Sequence, residues 1–103
     1  MCRIFAGQDP ADYACITPSV RLAGHATSIR LEATFWDILD EVAEGQGMTT
    51  PRFLSTLYDE VLEIHGEIGN FASLLRVACT RYLRSSDAVM AEARRELAAT
   101  AAE

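Results

Sequence analysis

At 103 residues, half of them hydrophobic, and with a net charge of −6, the chain has the size of one domain near the lower end of what a single core supports. The composition argues against disorder, no apolar run approaches the ~20 residues of a membrane span, and Met1-Cys2-Arg3-Ile4-Phe5 lacks the apolar region and cleavage site of a secretory signal. Three cysteines without CxxC spacing (Cys2, Cys15, Cys79) fit a reducing cytoplasm better than a disulfide scaffold.

The first residues, Met1 to Ala6, read as a short strand anchored by Ile4 and Phe5. Gly7-Gln8-Asp9-Pro10 is a turn, and Asp9-Pro10-Ala11-Asp12-Tyr13 opens a single helical turn. Thr17-Pro18 breaks any helix there. Residues 1–18 form an N-terminal arm before a domain over 19–84. Ser19-Val20-Arg21-Leu22 and Ser28-Ile29-Arg30-Leu31 share the form Ser-aliphatic-Arg-Leu, with Ala23-Gly24-His25-Ala26 between them. A β-hairpin follows from that echo, the alternative being an extended arm before one strand. The strand is Thr27–Glu32, with Thr27, Ile29 and Leu31 on one side and Ser28, Arg30 and Glu32 on the other. So short a strand cannot bury its apolar face alone and calls for a partner.

Helix one is predicted over Phe35–Glu44, with Thr34 as N-cap and Asp37 as its capping acid. Phe35, Ile38, Leu39 and Val42 form its apolar stripe. Gly45-Gln46-Gly47 ends it. Helix two is predicted over Pro51–His65, with Thr50 as N-cap and Pro51 at its first position. Its apolar side is Phe53, Leu54, Leu57, Tyr58, Val61, Leu62 and Ile64, wide enough to touch both its own chain and a partner. Asn70 caps a third helix over Phe71–Arg84, with Phe71, Leu74, Leu75, Ala78, Cys79, Tyr82 and Leu83 inward. Ser85-Ser86-Asp87 caps an Ala-rich helical tail over 85–103, expected to fray.

The segment Gly24-His25-Ala26-Thr27-Ser28-Ile29-Arg30-Leu31-Glu32, followed by Phe35-Trp36 and by Gly47-Met48-Thr49 before the next helix, resembles the ribbon-helix-helix family of small bacterial proteins. The resemblance covers roughly Ser19 to Leu83. It implies a mainly α fold with a short β ribbon, here with an added third helix and room for an extra N-terminal strand. It also implies a homodimer whose paired strands enter the DNA major groove, acting as a transcriptional regulator. On that pattern Ala26, Ser28 and Arg30 meet base edges: Arg grips guanine, Ser bonds several bases and Ala touches a thymine methyl. The plain alternative is the wet face of a half-exposed sheet. Thr49, Thr50 and Arg52, at the start of helix two, would meet phosphate; the alternative there is ordinary capping. The dimer core would comprise Ile29, Leu31, Phe35, Leu39, Phe53, Leu57 and Val61.

Charge speaks partly against this. Residues 1–33 sum to zero and 68–103 to +1, whereas 34–67 hold Arg52 against eight acids, for −7. The acid thus lies on the helices, away from the strand, but a protein that neutralises many phosphates usually shows a basic footprint. An extra strand beside the ribbon would also widen it beyond what the groove takes easily. A dimeric protein-interaction module without sequence-specific DNA binding is therefore the rival reading. Met-Cys-x-Ile-Phe also looks like the start of glutamine amidotransferases with an N-terminal cysteine nucleophile. The family's Gly is Arg3 here, the chain is far shorter than that catalytic domain, and no Cys–His–acid set stands out. Cys2 then reads as a packed or incidental thiol. His25 and His65 are isolated, so the sequence assigns no metal, no cofactor and no enzymatic activity.

Overall fold

The computed structural model describes residues 2–84 and 86–102. In chain order the elements are α1 (Cys2–Ala6), α2 (Pro10–Tyr13), β1 (Cys15–Ile16), β2 (Ser19–Leu22), β3 (His25–Ser28), β4 (Leu31–Glu32), α3 (Ala33–Gly45), α4 (Thr50–His65), α5 (Phe71–Arg84) and α6 (Ser86–Ala102). The fold is mainly α with a small antiparallel ribbon.

Ile4 and Phe5 do not make a strand: Cys2–Ala6 is a helical turn in which both side chains stand exposed. No partner edge reaches them, and an isolated strand has no ladder to complete. Cys2 is exposed as well, not packed. The helical turn at Pro10 forms as read, with the Asp9 carboxylate accepting from the Ala11 N–H at 3.0 Å.

The hairpin forms too, with Ser19 opposite Ser28, Val20 opposite Thr27, Arg21 opposite Ala26 and Leu22 opposite His25. Its two-residue loop has positive φ at both centres, Ala23 at 52° and Gly24 at 82°. That is the primed turn whose twist matches that of the flanking strands. The strand expected over Thr27–Glu32 is split, because Ile29 and Arg30 lie outside β3 and β4. Yet both short sheets keep one register: Ile16 pairs with Leu31 and Cys15 with Glu32, three and four steps back from Ser19 and on from Ser28. The interruption falls opposite Thr17-Pro18. Proline has no N–H to donate, so the ladder loses a rung there. The Ile29 N–H still donates to Pro18 O at 3.0 Å, and the Ala33 N–H to Ala14 O at 2.8 Å. Residues 14–33 are thus one long ribbon within a single chain.

The ribbon's inner face supplies Val20, Leu22, Ile29 and Leu31 to the core, where they join Trp36 and Leu39 of α3, Leu54 of α4, and Leu75 and Cys79 of α5. Leu31, Leu54 and Leu75 are fully buried. Trp36 is a core residue that the expected stripe of helix one omitted. It is buried, and its Nε1 donates to Ile16 O at 3.0 Å, pinning β1 to α3. Ile64 and Leu83, expected inward, are 74% and 60% exposed. Both lie one residue before the last residue of their helix.

Helix starts differ from expectation by a residue or two. α3 begins at Ala33 with Glu32 at its N-cap position, and Thr34 Oγ1 donates to Asp12 O at 2.8 Å instead of capping. Asp37 is correspondingly not the third residue of the helix. Thr49, not Thr50, caps α4, its hydroxyl accepting from the Arg52 N–H. Gly66, left-handed at φ 78°, closes α4, where the αL conformation favours glycine. Asn70 caps α5 as expected, accepting from the Ser73 N–H at 3.1 Å. The cap expected at Ser85 lies outside the described residues. α6 is tied to the helical layer by Arg94, which donates to Gly45 O at 3.2 Å.

Candidate nucleic-acid interface

Alternation along the ribbon decides which side chains face out. With Val20, Leu22, Ile29 and Leu31 turned to the core, the opposite face carries Ser19 and Arg21 from β2 and Ala26, Ser28 and Arg30 from the returning strand. All five are exposed. The ribbon therefore brings Ala26, Ser28 and Arg30 together at every second position on one face, leading directly into α3.

Arg30 is exposed. Cys15 beside it, first through a hydrogen bond and then through charge, holds the guanidinium above its ordinary value, and Glu32 adds to this. Glu32 is drawn the other way: its own backbone N–H, then Arg76, lower its carboxyl. Arg76 Nη2 lies 2.9 Å from Glu32 Oε1 and its guanidinium 6.0 Å from the centre of the Phe35 ring. One α5 side chain thus fixes the junction between the ribbon and α3. Glu32 makes its ion pair with Arg76, and Arg30 stays exposed on the outward face.

Arg21 is the residue that the candidate set omitted. It stands directly opposite Ala26, and its Nη1 donates to Gly24 O at 2.8 Å. The signal was in the sequence, since Arg21 holds in the first Ser-aliphatic-Arg-Leu copy the place that Arg30 holds in the second.

The second candidate cluster lies at the start of α4. Thr49 is occupied as the cap, and Arg52 is exposed. The Thr50 hydroxyl donates to Asp40 Oδ1 of α3, so a carboxylate already stands at this helix end. That arrangement opposes a phosphate more than bare N–H groups would.

The candidate dimer residues divide. Ile29, Leu31 and Leu39 are buried within the single chain, whereas Phe35, Phe53, Leu57 and Val61 are only half-buried. Leu39, Phe53 and Leu57 line a cavity of about 310 Å³ between α3, α4, α5 and α6. Burial pushes the Cys79 thiol up to about 11, far from nucleophile territory. Among the described residues, no group of His, Cys, Asp and Glu is placed to hold a metal ion, and no helix is long and apolar enough to cross a membrane.

A family model described as a ribbon-helix-helix domain matches residues 15–83, the ribbon through α5. Among solved structures, an uncharacterized protein from Bordetella pertussis Tohama I is similar, with a TM-score of 0.79 and 46% identity. The match covers 81% of this chain and 66% of that one, so this chain spans just under two thirds of its neighbour's length. No curated protein matches the chain.

Proposed function

Because the chain belongs to the ribbon-helix-helix domain family, we propose that it is a transcriptional regulator that binds DNA as a homodimer in the bacterial cytoplasm. The family is typically one of DNA-binding, non-enzymatic regulators that usually form dimers. Within the chain, the observation that carries the reading is the outward face of the ribbon. It presents Ser28 and Arg30, exposed and two residues apart, on the strand that enters α3. Arg30 reads guanine through two bonds, Ser28 bonds a neighbouring base, and Ala26 touches a thymine methyl. Two copies would present these residues to a short pseudo-palindrome. Arg52, exposed at the start of α4, meets the DNA backbone and sets the register.

Half-buried Phe35, Phe53, Leu57 and Val61 supply the apolar area of the dimer contact, while Ile29, Leu31 and Leu39 stay in the core of each chain. No cofactor enters this scheme.

A protein-interaction module is the rival, favoured by one observation: the ribbon is completed within the chain, so a strand from a second copy makes a wider sheet. Arg30→Glu separates the readings. It removes a base contact and sets a carboxylate against phosphate, so duplex binding should fall by at least about a hundredfold while the dimer persists. Wild-type DNA affinity in that variant would contradict the assignment of Arg30.

A further inference from the structure

Between Asp12 and Glu32 the chain has no carboxylate, and its two charged side chains there are Arg21 and Arg30. The ladder puts both on the outward face, although they belong to different strands. Among the described residues β3 has one strand neighbour, β2, and its other edge is open. The strand leading into α3 is the one that pairs across the dimer in the reading above, on which this inference rests. When two β3 edges meet, β2 becomes the outermost strand on each side.

Strand spacing then decides what β2 meets. Four strands about 4.8 Å apart span about 14 Å between the outer backbones, more than the ~12 Å width of the major groove. The two central strands lie over the base edges, and the outer two lie over the groove walls, where the phosphates are. We propose that Arg21 is a backbone clamp of this interface, binding a DNA phosphate on each side of the groove while Ser28 and Arg30 face the bases. The chemistry fits the position. Arg21 is exposed, cationic and free of acidic neighbours along its strand, and its bond to Gly24 O draws the guanidinium along the hairpin toward the turn. The arrangement also answers how a chain of net charge −6 approaches DNA. The segment between Asp12 and Glu32 carries Arg21 and Arg30 and no carboxylate, whereas α3 and α4 carry seven acids against Arg52.

A phosphate clamp has a signature unlike that of a base contact, since it weakens all sequences alike and changes the salt dependence. Binding of wild type, Arg21→Ala and Arg21→Lys to three short duplexes of unrelated sequence is measured by fluorescence anisotropy from ~0.05 to ~0.3 M salt. Arg21→Ala is expected to weaken all three by the same factor, roughly tenfold near ~0.15 M, and to lower the salt slope by about 2 per dimer. Arg21→Lys keeps the charge and should keep the wild-type slope. An unchanged slope in Arg21→Ala, a loss confined to one duplex, or a lost slope in Arg21→Lys overturns the clamp while leaving the DNA-binding reading in place. Failure of the wild type to bind any duplex overturns that reading, and the clamp with it.

Discussion

At the scale of single residues, Glu32 does the most to join the candidate interface to the helices. It closes the ribbon, stands at the N-cap of α3 and binds Arg76 of α5. Its own backbone N–H and then Arg76 hold its carboxyl below the ordinary range. A carboxyl depressed in the folded state contributes stability that is present above its unfolded value and lost as pH falls through the folded one. Thermal unfolding of wild type and Glu32→Gln should therefore differ at neutral pH, with the gap closing below about pH 4. A gap that stayed constant with pH would show that the charge of Glu32 is irrelevant to the junction. Residues also explain what sequence reading missed. Thr34 looks like a cap because it precedes Phe35, but its hydroxyl is committed to Asp12 O, 22 residues away. Thr49 and Thr50 are equal candidates by type, and Asp40 of α3 engages the second. Such choices are made by tertiary partners that local spacing does not encode.

At the scale of elements, the ribbon shows how far period-2 alternation reaches. The inward set Ile29 and Leu31 and the outward set Ser28 and Arg30 are legible in the sequence and appear so in the fold. The repeated Ser-aliphatic-Arg-Leu pattern marks the second strand. What alternation cannot register is the missing donor of Pro18, which splits one ladder into two short sheets. Amphipathic spacing likewise gives the three main helices within two residues at their starts, but not the exposure of Ile64 and Leu83 in the last turns of α4 and α5. The hairpin turn stores a correctable cost, because Ala23 has a Cβ at φ 52°. Asn is far better tolerated there, so Ala23→Asn should stabilise the protein by about 0.5–1 kcal/mol in thermal or denaturant unfolding. Destabilisation would mean that the Ala23 methyl makes a contact outweighing the relief of backbone strain.

At the scale of the whole molecule, one chain already buries a contiguous core from ribbon to α5, yet leaves several large apolar side chains half-covered on α3 and α4. The proposed dimer predicts a solution mass twice the 11.3 kDa of the chain by light scattering, with Phe53→Glu shifting it toward the monomer. A monomer at micromolar concentration would remove the two-fold presentation on which a palindromic site depends. Charge is segregated at this scale too, with a hairpin over Ser19–Ser28 free of acid and α3 and α4 rich in it.

The central claim is that Arg30 on the ribbon reads DNA sequence. Its most direct test is retention of sheared genomic DNA by the purified protein at ~0.15 M salt, comparing wild type with Arg30→Ala by sequencing what stays bound. Enrichment of a palindromic site by wild type, lost in Arg30→Ala, is the predicted result. No enrichment by a folded, dimeric wild type, or equal enrichment by the variant, would contradict it.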